Sequence, residues 1–176
     1  MWRRPEPGRC PVRRLVGMHA LTENDLRAAF VNASTDDLRL LALPHDFPIL
    51  DWDHLDFLAW RDPENRDRGY LVAERDGSPH GVVLRAASSS SRGHVGLCNL
   101  CHTMQPGNQV TLFSARLPDA SGSSVGTYIC ADLSCHENVR LAAPLAPGEI
   151  RASVDVRIDG TKERAESFVA RVAERV

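Results

Sequence analysis

Four of the chain's five cysteines fall into two pairs, Cys98-Asn-Leu-Cys101 and Cys130-Ala-Asp-Leu-Ser-Cys135. Thiolates are soft donors, and four of them complete the tetrahedral shell of a zinc ion at about 2.3 Å from the metal. A two-residue spacer lets one tight turn deliver both sulfurs of the first pair. The longer spacer of the second pair suits a strand ending at Cys130, followed by a first helical turn that swings Cys135 back to the same point. Four thiolates close the shell and leave no position for a catalytic water, so the chemistry implied is a structural Zn2+ on Cys98, Cys101, Cys130 and Cys135.

Other readings of these cysteines fit less well. Disulfides need an oxidising compartment, and the basic N-terminus lacks the apolar run of a secretory signal. A redox Cys-x-x-Cys would leave the second pair without a purpose. His102 and His136 follow Cys101 and Cys135 directly and are able to ligate, but the shell is complete without them. Cys10 stands alone in an Arg- and Pro-rich leader.

The elements that must position the four sulfurs can be read between and around them. Residues 110–116 and 127–130 read as two strands, with a turn over 118–126, and the layout of knuckle, hairpin and helix is that of a treble clef. Upstream, Thr22 with Asp25 forms a capping box that starts a short helix burying Leu26, Ala29 and Phe30. Ser34 caps a second one with Leu38, Leu41 and Ala42 on its inner face, stopped by Pro44. Residues 69–75 and 80–85 read as a β-hairpin turning at Asp76-Gly77, a platform for the zinc unit. At the C-terminus, Ala165, Phe168, Val169, Val172 and Val176 recur at helical spacing from Thr161 onward. The expected class is α+β: short N-terminal helices and a β-hairpin, then a treble-clef zinc finger and a C-terminal helix. Its expected parts are a disordered leader (1–17), an α+β part (18–87), a linker of consecutive serines (88–91), the finger (92–141), and a loop and helix packing on the body (142–176).

Composition narrows the function. Lys and Arg total 21 against 23 acidic residues, a net charge of −2, and within the finger Arg92, Arg116 and Arg140 are matched by Asp119, Asp132 and Glu137. That is not the electrostatic footprint of a nucleic-acid binder. No stretch approaches the length of a membrane span. Asp51, Asp53, His54 and Asp56 carry acid-base side chains, but no nucleophile or phosphate-cradling loop accompanies them, and they read as a solvated face. Trp52, Leu55, Leu58 and Trp60 read as core.

At Leu97-Cys-Asn-Leu-Cys101 and Gly126-Thr-Tyr-Ile-Cys-Ala-Asp-Leu-Ser-Cys135 the chain resembles the C-terminal treble-clef zinc finger of the elongation factor G-binding proteins, a family that includes fusidic-acid resistance proteins of Gram-positive bacteria. The resemblance is strong over 96–140. Through Leu21-Thr-Glu, Phe30-Val-Asn32 and Trp60-Arg-Asp-Pro63 it extends toward short, single-domain actinobacterial members. It implies a bacterial, cytoplasmic, non-enzymatic protein that binds elongation factor G chiefly through the finger, as the resistance members do when they help release the factor from drug-stalled ribosomes. Those members have a larger helical N-terminal domain, so the resemblance reaches factor binding rather than drug resistance. The expected docking face is Phe113, Arg116 and Tyr128 of the hairpin with Asn138 and Arg140 of the following helix, although Phe113 and Tyr128 equally suit the finger's own small core. The alternative is a ribosome- or RNA-binding zinc module, with strongly salt-dependent affinity.

Overall fold

A computed structural model describes residues 17–87, 96–106, 108–119, 122–141 and 150–174. The leader up to residue 16, the serines 88–91, the loop 142–148 and Val176 therefore lie outside the described residues.

Local capping chemistry starts the two N-terminal helices. In α1 (Glu23–Ala29) the Asp25 amide donates to Thr22 Oγ1 and the Thr22 amide donates back to the Asp25 carboxylate, closing both arms of the box. Ser34 and Asp37 do the same for α2 (Thr35–Arg39). α2 ends at Arg39, well short of Pro44, and buries none of its own residues. Of the expected inner face only Leu41, beyond the helix end, is fully buried, because little more than one turn cannot present a stripe.

Five antiparallel strands form one sheet in the order β1 (Leu58–Arg61), β2 (Arg68–Arg75), β3 (Ser78–Ala86), β6 (Val110–Arg116) and β7 (Ser124–Cys130). A separate two-stranded ribbon pairs β4 (Gly96–Leu97) with β5 (Met104–Gln105). The β2–β3 register places Arg75 opposite Ser78, leaving Asp76-Gly77 as the turn; both residues have positive φ, 52° and 75°. That is the conformation a tight hairpin demands and the reason Asp-Gly serves there. β3 pairs with β6, so the sheet runs through both of the segments that the sequence reading separates, 18–87 and 92–141. β7 begins at Ser124, earlier than the expected residue 127.

Two layers enclose β2 and β3, with Trp60 of β1 joining the first. On one face Phe30 lies against Gly81, where a Cβ would come within 3.0 Å of its ring. It meets Tyr70 and Trp60 edge-on, and Trp60 stacks on Tyr70 at 4.7 Å. On the other face lies α4 (Val154–Ala173), which buries Ile158, Thr161, Ala165, Phe168, Val169 and Val172. β2 is consequently buried along nearly its whole length, without the alternation of a half-exposed strand. α4 starts at Val154 rather than Thr161, capped by Ser153. Its first two turns expose Val154 and Val156 and bury only Ile158, so the apolar period begins later than the helix. No helix among the described residues is long and apolar enough to cross a membrane.

Candidate metal centre and docking surface

The first cysteine pair sits on the turn between β4 and β5, and the second spans the end of β7 and the start of α3 (Cys135–Asn138). Each pair is closed by a residue in the left-handed region. His102, at φ 54°, donates its amide to the Cys98 carbonyl, and Leu133, at φ 64°, donates to the Cys130 carbonyl. The left-handed region costs a non-glycine residue about 1–2 kcal/mol, which persists only where the surroundings over-determine the turn. His102 is thus a turn residue rather than a ligand.

All four sulfurs are buried and lie within 4.8 Å of one another. The Sγ atoms of Cys98 and Cys135 are 3.5 Å apart, and those of Cys101 and Cys130 3.6 Å. A tetrahedron with zinc–sulfur bonds of about 2.3 Å has edges of about 3.8 Å. A disulfide would instead need about 2.05 Å. Donor type, number, burial and spacing therefore fit zinc, and Cys98, Cys101, Cys130 and Cys135 hold a structural Zn2+. Crowding shows in the thiols themselves: hydrogen bonds received from Cys101, Cys130 and Cys135 push Cys98 far down, while those that Cys130 and Cys135 donate to Cys101 push their own pKa values up. Without a cation the cluster cannot ionise fully.

Neighbouring groups support the cluster. The Cys101 amide donates to Cys98 Sγ at 3.4 Å, Asn138 Nδ2 donates to Cys130 Sγ at 3.3 Å, and the Thr103 hydroxyl lies 2.9 Å from Cys101 Sγ. From α4, Arg164 Nε donates to the Leu100 carbonyl at 2.6 Å, joining the knuckle to the helix behind it. α3 is tied to the N-terminal half through Asp56, whose carboxylate meets Arg140 Nη1 at 2.7 Å and His136 Nδ1 at 3.0 Å. Burial pushes the Asp56 pKa up, but hydrogen bonds from His136 and Arg140 outweigh it and hold the carboxyl below its ordinary value. The expected solvated face is corrected here: Asp51, Asp53 and His54 are exposed, whereas Asp56 is only 6% exposed because α3 packs over it.

The expected docking residues divide among three environments. Phe113 is fully enclosed beneath the Arg61 guanidinium, 4.9 Å from its ring, and is corrected from surface to core. Strand parity is the cause: Phe113 and Ala115 point inward, so Leu112, Ser114 and Arg116 point the other way. Asn138 and Arg140 are engaged with Cys130 and Asp56. Arg116 and Tyr128 remain, and the register that sets Leu112 opposite Tyr128 and Arg116 opposite Ser124 places them on one outward face. Tyr128 is 54% exposed. Leu97 and Met104, not anticipated from sequence, are register partners on the zinc ribbon and are also exposed. The Asn99 amide donates to the Tyr128 carbonyl and joins that ribbon to β7. Their sequence signal is position: both bracket the first cysteine pair.

The model of the FBP C-terminal treble-clef zinc-finger family matches residues 25–172. Among solved structures, that of the fusidic acid resistance protein FusC is similar at 24% identity and a TM-score of 0.43, over 65% of this chain and 57% of that chain. The chain thus spans little more than half the length of that protein. No curated protein matches.

Proposed function

The chain belongs to the FBP C-terminal treble-clef zinc-finger family, and from that premise we propose that it is a non-enzymatic cytoplasmic module that binds elongation factor G and modulates its release from the ribosome. The observation that carries this reading is the set of exposed apolar side chains on a metal-braced frame: Leu97, Met104 and Tyr128, with Arg116 on the same sheet face as Tyr128. Apolar groups left in water on a soluble domain mark contact surfaces when they gather. A backbone already held by zinc loses little further entropy on docking. Tyr and Arg are frequent anchors of such interfaces.

The test is calorimetric titration of the zinc-loaded protein into elongation factor G. Saturable one-to-one binding is expected, and Tyr128→Ala should weaken it by about 2 kcal/mol with zinc content unchanged. Absence of binding would overturn the partner. Binding that Tyr128→Ala and Met104→Ala leave untouched would overturn the face.

A further inference from the structure

β3 and β6 pair at Arg85 opposite Ser114 and Ala86 opposite Phe113, with the Ala87 amide donating to the Leu112 carbonyl beyond them, and on the Val83 side they part without a further register pair. The Asn32 side chain holds the fork open. Its Nδ2 donates to the carbonyls of both Val83 and Arg116, and its Oδ1 accepts from the Val83 amide. Beside this fork, between α2 and the sheet, lies a cavity of about 340 Å³ lined by Asn32, Asp37, Leu40, Arg68, Arg85 and Arg116 among others.

Its charges do not close. Arg68 and Arg85 are register partners, and Arg116 lies on the next strand, two residues beyond the partner of Arg85. Like charges side by side on a sheet are destabilising unless countered. Asp37 pairs with Arg85, and Asp62 lies 3.7 Å from Arg68. Both carboxylates are also occupied elsewhere, Asp37 by the Ser34 amide and hydroxyl and Asp62 by Tyr70 Oη and the amides of Glu64 and Asn65. Asp36 is drawn to Arg39. The Arg116 guanidinium has no acidic partner among the described residues. Arg68 is 7% exposed, and its Nε is a buried donor without an acceptor. With Nε enclosed, Arg68 acts on the cavity through its charge rather than through that atom.

We propose that this cavity binds an oxyanion, a carboxylate or phosphate group. Arg116 supplies its planar fork, and Arg68 and Arg85 supply further positive charge. Guanidinium forks match both oxyanions bidentately. The volume exceeds that of the anion alone, and Leu40 and Val83 offer apolar wall for the body that carries it. The site shares Arg116 with the proposed contact face, but its other lining residues lie outside that face and it does not depend on which protein the face binds.

Side-chain 1H–15N spectra of the zinc-loaded protein test the assignment, with sodium phosphate and sodium acetate titrated against sodium chloride at matched ionic strength. The Arg85 Nε–Hε signal should move saturably with an oxyanion and not with chloride. Arg116→Gln should weaken binding about tenfold, and Arg116→Lys, which keeps the charge but loses the fork, should fall between. Tighter saturation by phosphate would assign the ligand as a phosphorylated compound, and tighter saturation by acetate as a carboxylate. Responses equal to chloride, or identical curves for wild type and Arg116→Gln, would overturn the site. Should Arg116→Gln lose zinc or melt early, Arg116→Lys decides by the same criterion.

Discussion

The two ends of the sheet hold their shape by different means. Across β2 and β3, large side chains fill both faces: Phe30, Tyr70 and the neighbouring Trp60 on one, with Phe168 and its neighbours from α4 on the other. At β6 and β7 only the inner face is filled, and four buried sulfurs brace the end of the hairpin. A second layer of side chains is not needed where metal coordination supplies the constraint. One consequence is that the finger can leave Tyr128, Leu97 and Met104 in water, which a strand sandwiched between two layers cannot do.

Chelation should break this contrast most sharply. Removing zinc takes away on the order of 10 kcal/mol from the finger. Amides of β7 and α3 should then lose hydrogen-exchange protection, while those of β2 and β3 keep theirs. Loss of β2 protection in step with β7 would show that the sheet is one cooperative unit and sink the division. The reverse test is Leu26→Ala, which empties a fully buried site in α1 and should cost roughly 2–5 kcal/mol in urea denaturation, with one zinc still bound per chain. Zinc loss in that variant would argue against the contrast.

Acid should separate the regions with a smaller effect. Burial raises the Asp37 pKa, but hydrogen bonds from Ser34 and the charge of Arg85 bring it below the ordinary 3.8. A carboxyl lowered in the fold contributes fully at neutral pH, and that contribution is lost only as pH falls through the lowered value. Zinc needs all four thiolates, so protons compete with the metal at higher pH. Zinc release followed by a chelating dye should therefore precede loss of helical circular dichroism. Ser34→Ala should cost about 1 kcal/mol and move the second transition to higher pH, leaving the first in place. If both transitions move together, the cap is not confined to the N-terminal region.

Much of the candidate site was legible because its signals are local. Cysteine spacing, the boxes at Thr22 and Ser34, and the Asp76-Gly77 turn each act within a few residues, and each element stands where those residues place it. The start of α4 was not legible, since its first turns carry no apolar period and its one landmark there is the cap at Ser153.

What the sequence by itself determined is therefore the ligand set, the caps and the hairpin turn, because bond lengths and backbone preferences settle them without reference to the rest of the chain. Tertiary structure alone decided that Phe113 is core while Tyr128 is surface, that Asp56 is buried under α3, and that three arginines meet at the fork of β3 and β6. Those outcomes depend on strand order and on which sheet face each layer covers. Both are set by partners far along the chain, so no window of neighbouring residues contains them.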